Sequence, residues 1–457
     1  LNGERTVHNH ELLLEEALTY FRSSAVLQRL LQQFAEKYRS LGRTGGAVKL
    51  KLHSPGEREN LGGLLGTDLG RKKAVTVSSV QLEQALGQSR FGGLSLQELL
   101  FAFAGGPILT KLEEKRREEA EKDQFFAELA RGCGSKTGAE WLEQIKNRGE
   151  GSRGIHLAYR RDRAELERNL GCVLRALRHL PAEDYERLPV FAARITGDPH
   201  GFDPGTEKGR LLIEALCFLQ GEGAEKRARR PLTAEEISEI LAASGILRDD
   251  LFSFVTCAGL LACGRNGKKF ATWEQAHLEN MVLNVPLREV VKIETARPAL
   301  APMGAAEVKS VYVVENPAVF SQILDAFDDC PHPPLLCTHG QFRLAALLLL
   351  DKLAEGGARI CYSGDFDPEG LQMAQRLLQR YPGAARAWRY RPDDYARTKP
   401  LQLLDAARVR KLKQIIHPAL AAVRDSIAGS GKAGYQEQII PDLIEDLKNC
   451  FYPPVNG

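Results

Sequence analysis

"ARICYSGDFDPEGLQMAQRLLQRY", residues 358–381, passes from an apolar run through two aspartates into a helical pattern. Residues 359–363 are short, apolar and closed by Gly364, so they read as a buried strand. Asp367 followed by Pro368 is a helix-start signal, because a carboxylate caps the first free N–H groups and proline is tolerated in the first turn. Asp365 sits at neither a cap nor a core position, so it needs another explanation.

The same grammar occurs upstream. "SVYVVENPAVFSQILDAF" (310–327) reads as a strand ending on Glu315, then Asn316-Pro317 opening a helix. Between the two lie a strand in "PPLLCTHG" (333–340) and a helix in "QFRLAALLLLDKLAEGG" (341–357), and "ARAWRY" (385–390) supplies a further strand. Strands alternating with helices predict a parallel α/β sheet. Such sheets bind ligands beyond the carboxyl ends of their strands. Glu315, Asp365 and Asp367 are therefore expected in one crevice, where carboxylates at helix N-termini can hold a hard cation such as Mg²⁺. An N-cap role alone accounts for Asp367 but not for the other two.

The rest of the chain reads differently. Residues 1–45 have helical spacing, "GGAVKLKLH" alternates as a strand, and Ser54-Pro55 opens a helix. A strand and helix in "KKAVTVSSVQLEQAL" complete a winged-helix-like module over about 46–108. From 109 to 190 charged helices dominate, with signs alternating three and four apart as on solvated faces. Residues 205–290 read as mainly helical. The expected organisation is a multidomain α+β chain: an arm and module over 1–108, a helical middle over 109–300, an α/β domain over 301–400 and a helical extension over 401–457.

Composition bounds the partners. Sixty-two Lys and Arg against fifty-nine Asp and Glu leave +3, so a surface for polyanions must be local. The nine cysteines are scattered without a CxxC pair, which suits reduced thiols in a cytoplasm. "LAALLLL" (344–350) is too short to span a bilayer, and no membrane partner is expected. Residues 386–413 hold nine basic residues against three aspartates, with Trp388, Tyr390 and Tyr395 interleaved. Arg389, Arg391 and Arg397 are the candidates there for phosphate contacts, weighed against aromatic packing at a sheet edge.

The pattern Glu315 … Asp365-Phe366-Asp367-Pro368-Glu369-Gly370 resembles the Toprim domain of topoisomerases, primases and some nucleases, in the form found in the type VI topoisomerase A subunit. The longer wording "VYVVENPAV", "LLCTHG", "CYSGDFDPEGL" and "AWRYRPDDY", with "ITGDPHGFD" upstream, is similar to the JetD-like nuclease subunit of Wadjet plasmid-defence systems. That resemblance implies a Mg²⁺- or Mn²⁺-dependent DNA endonuclease with Glu315, Asp365 and Asp367 as metal-binding and catalytic acids. It also implies work beside an SMC-like ATPase complex with accessory subunits, and a homodimeric nuclease subunit is expected. Glu437, in "YQEQII", is the one acid where the family carries a pair near the C-terminus, and Glu369 reads as a first-turn helix acid. His339, just past a strand end, is a further accessory candidate.

Three rival readings use the same residues. A topoisomerase-like enzyme would attack DNA with a tyrosine, but Tyr20, Tyr38, Tyr159 and Tyr185 lie in no matching context. A DNA-binding scaffold subunit would keep the fold without the chemistry, which the presence of all three acids opposes. A phosphatase-type DxD site would leave Glu315 without a role. Cys330, His332, Cys337 and His339 form no familiar zinc spacing. "GSGKAG" (429–434) lacks the P-loop's leading glycine and its Ser or Thr, and "HNH" (8–10) is contiguous where metal ligands would be dispersed.

Overall fold

The computed structural model describes residues 2–149, 151–221, 232–300 and 309–452. The chain divides into two compact units, Leu1–Gly132 and Cys133–Gly457.

In the first unit, helices α1 (Asn2–Arg22) and α2 (Ala25–Leu41) precede strand β1 (Ala47–Lys51), α3 (Pro55–Leu65) and β2 (Ala74–Ser78). Helices α4 (Ser79–Gln88), α5 (Leu96–Ala104) and α6 (Lys111–Gly132) follow. Serines start three of these helices. The Ser54 side chain accepts from the Glu57 N–H with Pro55 in the first turn, and Ser78/Gln81 and Ser95/Glu98 form reciprocal capping boxes. β1 buries Val48 and Leu50 and exposes Lys49 and Lys51, the period of two that a one-sided strand requires. Those side chains join Phe21, Leu27, Leu31, Phe34 and Leu99 in one core. β1 and β2 pair antiparallel with α3 between them, so the strands of the 46–108 stretch flank a helix and are not joined as a hairpin.

The second unit opens with helices α7 (Lys136–Lys146), α8 (Arg153–Arg161) and α9 (Arg163–Leu177). Then come β3 (Glu186–Arg187), α10 (Leu188–Thr196), α11 (Glu207–Leu219), α12 (Ala234–Ala243) and β4 (Ile246–Leu247). A strand-rich stretch follows: β5 (Phe254–Ala258), β6 (Leu260–Cys263), α13 (Ala271–Leu278), β7 (Leu283–Pro286), α14 (Leu287–Val290) and β8 (Thr295–Pro298). The alternating part is β9 (Ser310–Val314), α15 (Pro317–Asp325), β10 (Leu335–Cys337), α16 (Leu344–Glu355), β11 (Arg359–Ser363), α17 (Pro368–Arg380) and β12 (Ala385–Ala387).

These strands form one six-stranded sheet in the order β12-β11-β9-β10-β5-β7. β9 to β12 run parallel, as the alternation of strands and helices predicted, while β5 and β7 are antiparallel additions. The stretch 205–290, read as mainly helical, therefore contributes two strands to the sheet. Short buried runs such as "FVTCA" carry no period that separates strand from helix. β9 is buried at every residue, and its Val-rich sequence is what a strand covered on both faces needs. The apolar run 344–350 lies in α16 against the sheet, and among the described residues no helix is long and apolar enough to cross a membrane.

The remaining elements are α18 (Pro392–Arg397), β13 (Gln402–Leu403), α19 (Ala406–Lys411), α20 (Pro418–Ser430), β14 (Lys432–Ala433) and α21 (Ile440–Phe451). Leu412, Leu420, Val423, Ile427, Leu443 and Leu447 join the same core as the sheet, so residues 401–452 are folded into it. Leu347 is fully buried in that core, whereas Leu278 is 75% exposed. Leu347→Ala should cost about 2–5 kcal/mol of stability through lost burial and a residual cavity. Leu278→Ala should stay within about 0.5 kcal/mol. Urea unfolding of both variants measures the difference.

Candidate functional site

β9 and β11 are neighbours, and the register sets Val314 opposite Ser363. Glu315 therefore leaves the end of one strand beside Gly364 and Asp365 leaving the other. Each exit is closed by a helix cap. Asn316 accepts from the Ala318 N–H ahead of α15, and Asp367 Oδ1 accepts from the Gly370 N–H ahead of α17 at 2.8 Å, each with proline in the first turn. The two acidic turns are thus held by their own helices.

Close packing explains both glycines of the turn. A Cβ on Gly370 would lie 2.2 Å from the Asp365 carbonyl oxygen. One on Gly364 would lie 2.7 Å from the Tyr362 hydroxyl and 2.8 Å from Glu315 Oε2. Beneath the acids, Tyr362 and Tyr390 stack at 6.3 Å with Phe366 5.2 Å from Tyr390. Tyr362 donates to Glu315 Oε2 at 3.4 Å and Tyr390 to the Asp365 carbonyl at 3.2 Å.

A segment near the C-terminus straps this turn. Phe366 and Gly434 exchange backbone hydrogen bonds of 2.9 and 3.1 Å, and a Cβ on Gly434 would collide with Thr398. The glycine of "GSGKAG" thus serves a close backbone approach. Two residues on, the Gln436 N–H donates to Asp365 Oδ1 at 2.9 Å. Asn316 then donates to Glu437 Oε1 at 2.5 Å, which brings Glu437 to the edge of the acid group. The Gln436 side chain is fully buried with neither amide atom partnered, and Ser363 Oγ is likewise unpartnered. Orphaned polar atoms beside buried acids leave hydrogen-bonding capacity for a bound group.

The electrostatics follow from burial and crowding. Burial, with Asp365 and Asp367 adding repulsion, pushes the Glu315 carboxyl up to about 7. Burial raises Asp365 to about 6, opposed by the Gln436 N–H and aided by Asp367 and Glu437. Burial also holds the Tyr362 and Tyr390 hydroxyls far above their ordinary range.

Arg408, on α19, is the cation that reaches in. Its Nη2 stands 2.5 Å from Asp367 Oδ2 and 2.6 Å from Glu369 Oε2, its Nε is 3.0 Å from the same Glu369 oxygen, and Lys411 Nζ is 2.8 Å from Glu369 Oε1. Burial opposes ionisation of Glu369, but Lys411 and Arg408 hold its carboxyl below the ordinary value. Among the described residues, no three His, Cys, Asp or Glu side chains stand as a ready cage for a metal ion. Several of the carboxylate oxygens are already engaged: Oδ1 of Asp367 by the cap, its Oδ2 by Arg408, and Oδ1 of Asp365 by Gln436. The donor set itself, crowded carboxylate oxygens with raised protonation, is the kind a hard divalent cation takes.

The other expected residues lie elsewhere or are otherwise engaged. The His339 ring faces Thr256 Oγ1 at 2.5 Å and packs edge-on to Phe254, so it joins β5 and not the acids. Arg389 binds Asp446 through Nε and Nη2 at 2.7 and 2.5 Å, with Asp394 nearby, and Arg397 pairs with Asp442. Trp388 and Tyr390 are buried, while Arg391 is exposed. Cys337 lies inside β10, and Asn280 fixes the Cys330–His332 turn through the Cys330 carbonyl and the His332 N–H. Arg408 and Gln436 went unread because each meets the turn from far along the chain. The sequence signals were the basic run 386–413, which contains Arg408, and "YQEQII", where Gln436 precedes Glu437.

Residues 44–262 match the family model described as "Protein of unknown function N-terminus (DUF3323)", and residues 283–447 match "Protein of unknown function C-terminus (DUF2399)". No curated protein matches the chain. The first match ends beyond β5 and the second begins at β7, so both families contribute strands to the one sheet. Glu315, Asp365, Asp367, Arg408 and Glu437 all fall in the second.

The raised Glu315 carboxyl makes stability depend on pH. Below about 4.5 the group is protonated folded and unfolded; between about 4.5 and 7 only the folded chain keeps the proton. Stability should therefore fall as pH rises through that window, by up to about 1.4 kcal/mol per pH unit for one proton. Urea unfolding across the window should show this slope in the wild type and a shallower one in Glu315→Gln.

Proposed function

We propose that this chain is a divalent-cation-dependent DNA endonuclease, with Glu315, Asp365 and Asp367 as the acids that hold Mg²⁺ or Mn²⁺. The observation that carries the reading is the meeting of Glu315 and the Asp365–Asp367 turn at the ends of adjacent parallel strands, with protonation raised by burial and mutual repulsion. The resemblance to Toprim nucleases, and within them to the JetD-like subunit of Wadjet systems, supplies the substrate class. A cation held by these acids would stabilise charge on a phosphodiester oxygen and assist ionisation of an attacking water.

The chain's own residues account for the rest. Glu315 leaves the end of β9 beside the Asp365–Asp367 turn, where its carboxylate would complete the oxygen set that holds the cation. Asp365 is aligned by the Gln436 N–H and Asp367 by the α17 cap, so neither must reorganise to face a substrate. Tyr362 and Tyr390 are the hydroxyls beside the acids, and their burial and raised pKa suit packing and hydrogen-bond donation as neutral phenols, not attack on phosphorus. That favours hydrolysis over tyrosine transesterification. From the resemblance, an SMC-type ATPase complex delivers the DNA, and the modest net charge fits a nuclease that depends on delivery.

Purified protein should nick or cut plasmid DNA with Mg²⁺ or Mn²⁺ and lose this with EDTA. Asp365→Ala and Glu315→Gln should each lower the rate by about a hundredfold or more while the circular dichroism spectrum is unchanged. Cleavage at the wild-type rate in folded Asp365→Ala protein would remove the reading. Denaturing gels of the products should show free DNA ends, and a protein-linked end would move the assignment to a tyrosine. Cleavage should also rise when SMC partners and ATP are added together.

A further inference from the structure

Asp367 has two carboxylate oxygens and both are in use: Oδ1 caps α17 through the Gly370 N–H and Oδ2 takes the Arg408 guanidinium at 2.5 Å. A divalent cation on Oδ2 would stand within roughly 4 Å of that guanidinium, and two positive charges at such a distance in a partly buried site repel strongly. The cap cannot yield without opening the first turn of α17. The guanidinium can, because the helix that carries it is a surface element.

α19 has no buried residue. Arg408 and Lys411 tie it to α17 through Glu369, and both hold on Glu369 independently of Asp367. If Arg408 leaves Asp367, its Nε bond to Glu369 keeps the guanidinium at the rim of the site. Nη1 has no protein partner among the described residues. Arg410 and Lys413 are exposed on the same stretch, also without a partner among the described residues. Arg408 and Lys411 thus bring positive charge to the acids, and Arg410 and Lys413 are exposed on the same segment. By contrast, Arg389 and Arg397 are occupied by Asp446 and Asp442.

The geometry points to Arg408 as the residue that contacts a substrate phosphate, parked on Asp367 until a cation takes that carboxylate. This rests on the nuclease reading above. A cation held by Oδ2 would displace the guanidinium, which, still hinged on Glu369, would present a planar fork to a phosphate oxygen pair, a ligand arginine suits better than lysine does. The site then changes from one closed by its own counter-ion to one charged for a polyanion. No covalent step is involved.

The test uses full-length protein and two binding measurements. Calorimetry with Mn²⁺ alone, without DNA, compares wild type, Arg408→Ala and Asp365→Asn. Arg408→Ala should bind Mn²⁺ about threefold to tenfold more tightly, since the competing charge is gone, and Asp365→Asn should bind it weakly or not at all. Fluorescence anisotropy of a short labelled duplex is then read in EDTA and in Ca²⁺. Ca²⁺ should tighten wild-type binding, and Arg408→Ala should be about tenfold weaker than wild type in Ca²⁺ yet within about twofold in EDTA. Arg408→Lys, which keeps the charge without the fork, should fall between and guards against a folding defect in the alanine variant. Unchanged or weaker Mn²⁺ binding by Arg408→Ala overturns the exchange, as does an equal loss of DNA affinity with and without Ca²⁺. A wild type with no Mn²⁺ isotherm, or one that Asp365→Asn leaves intact, removes the cation reading itself.

Discussion

Two parallel strands lying side by side, buried along all but the first residue of β11, impose the arrangement on which everything else depends. Because β9 and β11 pair with Val314 opposite Ser363, their exits are fixed to within one residue of each other, and the acids that follow cannot separate without breaking the sheet's centre. The helices then add their own demands. Each must begin immediately, so each exit needs a capping side chain, and the space between exits shrinks until only glycine fits at 364 and 370. The D-x-D-P-x-G order is thus a packing solution before it is a chemical one. The first aspartate ends the strand, the second caps the helix, proline sets the first turn, and glycine makes room for the carbonyl of the first aspartate.

Bringing carboxylates together under an aromatic floor costs free energy that the fold offsets in part. Glu315 and Asp365 respond by holding protons toward neutral pH, while Asp365 gains one backbone N–H and Asp367 gains a backbone N–H and a guanidinium. The outcome is asymmetric. One side of the turn is neutralised by α19, and the Glu315 side is left to protonation, the Asp365 N–H and a long tyrosine hydrogen bond. Glu315 therefore keeps its proton up to about 7, on a strand end whose neighbours cannot move to relieve it.

The parallel strands and their acidic ends were legible because the signals are local: an apolar run, an acid, a cap and a proline within about eight residues. What the sequence concealed was assembly at a distance. Arg408 and Gln436 meet the Asp365–Asp367 turn from 41 and 71 residues away, and Glu437 meets Asn316 from 121. No period or spacing encodes such meetings. The basic run 386–413 shows the converse error of scale. Its charges were countable, but Asp442 and Asp446 on α21, which engage Arg389 and Arg397, lie outside the counted window. β5 and β7 were hidden for a third reason: runs of four or five residues fit strand or helix equally well until a neighbour with free backbone groups chooses for them.

The segment after β12 is best understood as part of the site and not as a tail. Its core residues are continuous with those of the sheet, so it is held as firmly as the strands, yet α19 within it has no fully buried residue and meets that core through half-buried Val409. A firmly anchored segment carrying one loosely attached cationic helix can hold Gln436 and Glu437 at fixed positions while allowing Arg408 to change partner. Rigidity is needed where the Gln436 N–H aligns Asp365, since a carboxylate that wanders loses its geometry. Freedom is needed only at the guanidinium. The chain separates the two by burying the strap at Gly434 and Gln436 against the Phe366 turn and leaving residues 405–411 on the surface, so the counter-ion can leave without disturbing the acids it neutralised.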